Sequence, residues 1–598
     1  NEEALLMAQV ELWRVLNNED LMDFIDLKKY DNPSRSDDGK TILLRVAKQR
    51  DVVQWAKRFL IRGDNNRVLD FYQQVESYVE NKLSGSDQKS WLHTFSQGER
   101  KCWAYYADIL LAPKNLKDKL VDMENTASNL EKLARKTMKE PVFPERKEYG
   151  FIGHPAEVCL KRIIASIYNY IGYGYTTLSL YRTGVKMYGK ALAYMREAEF
   201  LPQQATTRNN LARALSEMGR MRSRRICLDG LILRKKLGDD IPIAYSYNTL
   251  ALIDNDQNRP DLAIAEAATA LAYFRQIPDL RGIGLSLITL GEALRGLSSR
   301  RALSILIVQD PPDAIQTEAE QALNEALSIF SESRDNADDS EQNRFADFKN
   351  INEPLRECEA LLELGCLHSD RLTMIDPNKS PLEWQRHYHS AINHLNKAVE
   401  LAQELNLLRL ELDAKVNIAW TYYRGCNHKE ANESINALLA DERLIPTSYR
   451  LLPNQKPPKA DCDLSYVYYQ LSKLLALRAH LNMKEFMERV DEIKKIVPSN
   501  REERLIRVDE DNVAQRALRQ AAESFVLATG YAQLFSPRSS ALTILYDSLY
   551  LYLKCFNDNE LMRFHMYQQK TQEEYHTKDI EPEDKGDQIG RASCRERV

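Results

Sequence analysis

The chain is predicted to be all-α, an α-α superhelical solenoid of helical hairpins behind an irregular helical N-terminal region, on three observations. Small residues recur at Gly172, Ala212, Ala251 and Gly291, in steps of 40, 39 and 40 residues, and a constant step marks a stacked unit. Each unit holds two segments with apolar residues at i, i+3, i+4 and i+7, the pattern of an amphipathic helix. Between the segments stand turn residues, Gly219 in one copy and Asn258-Arg259-Pro260 in another, where glycine or asparagine takes the left-handed conformation.

From the N-terminus, residues 1–145 read as a helical region without a clear repeat, with helical segments over 2–30, 41–62, 64–83, 87–112 and 114–138. Two prolines in Pro141-Val142-Phe143-Pro144 interrupt helix and mark a boundary. The repeat array follows over 156–441. Its first copy pairs Tyr168, Ile171, Gly172 and Tyr175 with Gly184, Tyr188 and Ala191, and a later one pairs Leu250-Ala251 with Ala263, Ala267 and Ala270. Ile418, Ala419 and Tyr422 similarly lead to Ala431, Ile435 and Leu438. Small residues facing small residues let two helix axes approach closely while larger neighbours interdigitate. The copy at Asn210-Leu211-Ala212 is degenerate, because Arg224 stands where the second small residue belongs.

In two copies the second helix comes late: Leu290-Gly291 pairs with Ala319, Leu323 and Ala326, and Leu364-Gly365 with Ala391, Leu395 and Ala398. The apolar run after Arg301 can lengthen a first helix, and Met374 to Pro381 reads as a Pro-containing loop. Ser331 to Asn352 and Pro446 to Pro458 read as exposed connectors. Residues 461–570 are degenerate repeats or a C-terminal helical cap, including helices around Ala514 to Ala532 and Ala541 to Phe556, since the end of a stack departs from its consensus. A polar tail covers 571–588. The final stretch, 589–598, resembles translated sequencing adapter and is set aside; without its three Arg and one Glu, the formal charge moves from −5 to −7.

The residues around Gly172 and Ala251, with Leu290-Gly291 and Leu364-Gly365 as first-helix signatures, resemble the tetratricopeptide repeat family. The steps of 39 and 40 exceed that family's usual spacing of about 34 and imply longer helices. The resemblance implies a scaffold that binds a protein or peptide in a groove lined by the first helices. Family members that hold extended peptides use Asn there, an amide that both donates to and accepts from a ligand backbone. The matching positions are Asn169, Asn209, Asn210, Asn248 and Asn417. On the same faces Tyr173, Arg213, Trp420, Tyr423 and Arg424 offer stacking, a carboxylate clamp or an anchor. An alternative is a sensor or autoinhibitory arm of a bacterial signalling ATPase or transcription regulator, whose nucleotide-binding domain would precede Asn1.

Composition narrows the other classes. A formal charge of −5 over 598 residues, with only short basic runs, disfavours direct nucleic-acid contact. A mean hydropathy of −0.50 offers no membrane span. Nine cysteines without a C-x-x-C pair suit a reducing, cytoplasmic setting. No catalytic residue, cofactor or metal site is expected. Ser34 to Thr41 is a near miss to a phosphate-binding loop, with Ser34 where glycine is needed and Asp37 and Asp38 opposing phosphate charge. His387, His389 and His394 do not share one helical face. Gly172-Tyr173-Gly174 lacks the third glycine of a dinucleotide fingerprint.

Overall fold

The computed structural model describes residues 91–111, 115–136, 156–238, 240–277, 279–303, 312–331, 351, 353–449, 465–496 and 510–535, with 69, 72, 73, 507 and 508. Their regular structure is sixteen α-helices and one short 3-10 turn, without a strand among the described residues. Expectations for 2–30, 41–62, most of 64–83, the Ser34–Thr41 segment, the two-proline boundary, residues 332–350, 450–464 and everything from 536 onward fall outside the described residues.

The helices are α1 (Trp91–Leu110), α2 (Leu116–Lys136), α3 (Ala156–Thr177), α4 (Tyr181–Glu197), α5 (Leu201–Glu217) and α6 (Ser223–Leu237). Next come α7 (Asp240–Asp256), α8 (Pro260–Gln276), α9 (Leu280–Leu303), α10 (Pro312–Phe330), α11 (Pro354–Arg371) and α12 (Pro381–Glu404). The last four are α13 (Leu408–Arg424), α14 (His428–Ala440), α15 (Ser465–Ile496) and α16 (Asn512–Phe535). They fall into two compact units. The first comprises the described residues up to 370 except 217–220, together with 393–410; the second comprises 217–220, 371–392 and the described residues from 411.

Within the first unit the small residues lie between helices, as their spacing predicts. A Cβ added at Gly172 in α3 would stand 2.7 Å from the Tyr188 ring of α4, and one at Gly184 would meet Thr176 at 2.7 Å. Gly291 faces Leu323 of α10, and Gly365 faces Leu395 of α12, each with only 2.5 Å for an added Cβ. The delayed pairing read from the sequence is thus realised, and α9 reaches Leu303 as its apolar continuation suggests. Ala251, Ala263 and Ala267 are fully buried together with Ala293. Larger side chains fill the neighbouring layers, among them Leu287, Ile329 and Phe330 between α9 and α10.

One turn type serves five helix ends. Ser179, Glu199, Asn258, Asn406 and Cys426 all have φ between 50° and 62°. At Asn258 the amide reaches Asn255 O at 2.8 Å and the following Arg259 amide reaches Asp254 O at 2.8 Å, the paired bonds of a Schellman cap. The same pair closes α3, where Ser179 N–H bonds Thr176 O and Leu180 N–H bonds Tyr175 O. Gly219 has φ 67° and Asn258 φ 57°, the left-handed state expected of both.

The degenerate copy places a charged contact where the small residue stands elsewhere. Arg224 of α6 sits 3.1 Å from both Asp254 oxygens on α7 and 2.9 Å from Glu266 Oε1 on α8. A guanidinium with two carboxylate partners thus ties α6 to the following hairpin, whereas Gly184 packs against the first helix of its own. In the second unit α15 and α16 form a long pair around Ala514, Ala517, Ala521 and Phe525 against Ala479, Met483 and Phe486.

Candidate functional site

The stacked register decides which side chains of the first helices share a face. Positions two before, one after and five after the central small residue lie on one side of a helix. In the first unit this gives Tyr170 and Tyr173 on α3, Asn210 and Arg213 on α5, and Thr249 and Asp256 on α7. It continues with Thr289 and Glu292 on α9, and Glu363 and Asp370 on α11.

Contacts between helices join several of these side chains. Arg213 Nη1 lies 2.6 Å from Asp256 Oδ2, which also accepts from Ser216 Oγ at 2.6 Å. Arg295 donates from Nε to Glu363 at 3.0 Å and from Nη1 to Asp370 at 3.0 Å. The face curls on itself: Arg356 Nη2 of α11 donates to the Tyr173 hydroxyl of α3 at 3.1 Å, across 183 residues of chain. Beside this contact Arg281 makes two 2.8 Å bonds to the fully buried Glu353, and the Tyr106 ring packs 5.2 Å from Tyr170 and 6.0 Å from Tyr173. Burial, with Tyr173 and Glu353 nearby, pushes the Tyr106 hydroxyl up to about 12.

The asparagines divide between packing and exposure. Asn169 is buried, and its Oδ1 accepts from Thr207 Oγ1 at 3.0 Å and from Asn210 Nδ2 at 3.2 Å. Asn209, also buried, donates to Thr249 Oγ1 at 2.7 Å and accepts from the Cys227 thiol. These two amides tie one first helix to the next. Asn248 is 4% exposed, and its buried Oδ1 has no hydrogen-bond partner. Asn210 remains part-exposed.

The remaining predicted residues lie in the second unit. Asn417 Nδ2 donates to Asp413 O and Oδ1, both at 2.9 Å, while its Oδ1 accepts from Lys473 of α15 at 3.3 Å. Arg424 lies over the Trp420 ring at 5.7 Å, and Trp420 and Tyr423 meet edge to face at 6.0 Å. His480 of α15 completes the group, 5.5 Å from Trp420 and 5.9 Å from Tyr423. Burial, with Arg424 nearby, holds the His480 imidazole down at about 3. The Trp420 indole N–H is buried without an acceptor.

Sequence reasoning missed Glu292 in the first unit and His480 in the second. Glu292 follows Gly291 as Tyr173 follows Gly172 and Arg213 follows Ala212, yet it is one of 87 acidic residues until the register is known. It is part-buried. Burial first, then the negative charges of Glu363 and Asp256, push its carboxyl up to about 8 against the opposing pull of Arg295 and Arg213. His480 lies outside the recognisable repeats and had no signal at all.

The histidine triplet serves separate contacts: His387 Nε2 lies 3.3 Å from Arg386, His389 packs against Tyr388, and His394 stacks on His368 at 5.5 Å. Among the described residues no group of three or more His, Cys, Asp or Glu is placed to hold a metal ion. No described helix is long and apolar enough to cross a membrane.

No family model and no curated protein matches the chain. A solved structure described as a Rap protein complexed with competence and sporulation factor is similar to it at 11% identity and TM-score 0.44, over 81% of this chain and 99% of that one.

Proposed function

We propose that the chain is a non-catalytic scaffold that holds a protein or peptide segment against the inner face of its first unit. The observation that supports this reading is the common spacing of Tyr173, Asn210, Arg213 and Glu292 about the small residues of α3, α5 and α9, with Arg356 of α11 reaching the Tyr173 hydroxyl. Such a face presents hydrogen-bonding and charged groups in series, suited to an extended backbone with alternate side chains. Asn210 supplies both donor and acceptor, and Tyr173 supplies a rigid aromatic surface. Asn169 and Asn209 support the face by joining its helices.

A displayed library of random linear peptides, selected on the full chain, tests the reading. Selected peptides are expected to bind with micromolar affinity and to weaken about tenfold or more against Asn210→Ala/Arg213→Ala, a loss of about 1.4 kcal/mol or more. Selection without enrichment, or peptides indifferent to the double substitution while the protein keeps its helical circular dichroism, would sink the assignment.

A further inference from the structure

We infer that the open pocket between α2, α3 and α4 is a binding site for a small aromatic carboxylate carrying one negative charge, with Arg135 and Lys190 as the groups that receive it. The pocket has a volume of about 510 Å³, within the range that holds small organic ligands. Glu131 and Arg135 line it from α2, Lys161 from α3, and Lys190, Tyr194 and Glu197 from α4. Spacings of four and seven residues put each helix's contribution on one face. The pocket lies away from the first-helix face. Lys161 and Tyr170 stand nine residues apart on α3, two and a half turns, and so point to opposite sides of it. This site is independent of the groove.

Both carboxylates of the pocket are engaged. Glu131 Oε1 accepts from the Tyr168 hydroxyl at 2.8 Å and from the Tyr194 hydroxyl at 2.9 Å, and Glu197 pairs with Lys161 at 2.8 Å. Tyr168 is 5% exposed, so the donor that fixes Glu131 from behind belongs to the core. Two cations are left over. Arg135 is exposed and has no carboxylate within bonding distance among the described residues, and Lys190, also exposed, rests on the Tyr168 ring at 4.8 Å. Three cations thus stand against two carboxylates around one space, a surplus of one positive charge. A monoanion cancels that surplus, whereas a dianion overshoots it beside Glu131 and Glu197, and a cation enlarges it. Arg135 offers a planar fork that suits both oxygens of a carboxylate, and the Lys190 ammonium supplies a further donor. The Tyr168 and Tyr194 rings stack at 6.1 Å with 9° between their planes, and Tyr194 with Ala134 and Ala193 gives the wall an apolar part for a ligand ring.

Saturation-transfer NMR titrations of the full chain test the site with four probes of similar size: phenylacetate, phenyl phosphate, phenethyl alcohol and phenethylamine. The titrations are run at about pH 7.5, where phenyl phosphate is mostly a dianion. Phenylacetate is expected to bind with a Kd of about 1 mM or tighter, about tenfold or more below that of the alcohol or the amine, and below that of phenyl phosphate. In Arg135→Gln/Lys190→Gln its Kd should rise about tenfold or more. Lys132→Gln/Arg196→Gln removes two other exposed cations of α2 and α4, outside the pocket, and should leave the Kd unchanged. All four positions are exposed, so neither variant disturbs the core. Absence of phenylacetate binding to wild-type protein, or equal binding of phenylacetate and the alcohol, overturns the proposal. Phenylacetate binding that ignores the pocket substitutions, or that both pairs weaken alike, overturns it too. Tighter binding of phenyl phosphate overturns the assignment of a singly charged carboxylate.

Discussion

Arg281 and Glu353 show how much depends on single side chains in this molecule. Glu353 is fully buried and Arg281 is 8% exposed, and their two bonds of 2.8 Å leave neither charge open to water. Removing one partner strands the other, so Glu353→Ala should destabilise the protein by about 3–5 kcal/mol in chemical denaturation, whereas Arg281→Met/Glu353→Leu should cost far less or nothing. Glu266 behaves differently. Burial and the neighbouring Asp254 push its carboxyl up to about 8, above the usual carboxylate range, despite Arg224. The folded protein therefore holds a proton there that the unfolded chain releases above about pH 4.3. Its contribution to stability is complete below that value, declines as pH rises to about 8, and is level beyond. In Glu266→Gln the slope of unfolding free energy between pH 5 and 8 should be flatter by up to about 1.4 kcal/mol per pH unit. The sequence marked Arg224 as a departure from the repeat. It did not reveal the carboxylates that receive it, because Asp254 and Glu266 lie 30 and 42 residues away on other helices.

At the scale of the helices, close approach and turn geometry set the tolerances. Gly291 leaves 2.5 Å between an added Cβ and Leu323, so Gly291→Ala forces a shift in the α9–α10 pair and should cost about 1–3 kcal/mol. The Schellman turns point the other way. Glu199 is exposed with φ 50°, a conformation that disfavours side chains and suits glycine. Glu199→Gly should therefore stabilise the α4–α5 turn by up to about 1 kcal/mol, read as a higher midpoint with unchanged slope in urea. Helix identity was legible here because small residues and apolar periodicity record the packing directly. The turns at Ser179, Glu199 and Cys426 were not, because nothing in those residue types announces a left-handed backbone, whereas Gly219 and Asn258 do so.

Over the whole chain, the hairpin repeat could be read from the regular step, and the candidate site only partly. Periodicity gave the first helices and the faces they present, including Tyr173, Asn210 and Arg213. It could not say that Asn169 and Asn209 turn inward to join helices, since one amide serves a neighbour or a ligand equally well. Nor does any local pattern signal a meeting of α3 with α11. Tyr173→Phe removes the hydroxyl that Arg356 reaches, and should raise amide exchange at the adjoining ends of both helices while leaving the α7–α8 pair unchanged.

That meeting has a kinetic consequence. Hairpins form from neighbours close in the chain, whereas a bond across 183 residues waits until the intervening helices are in place. The Tyr173 hydroxyl thus belongs to the last stage of assembly, and its loss should quicken unfolding while leaving the refolding rate almost untouched. The curled unit would fasten late and come undone first.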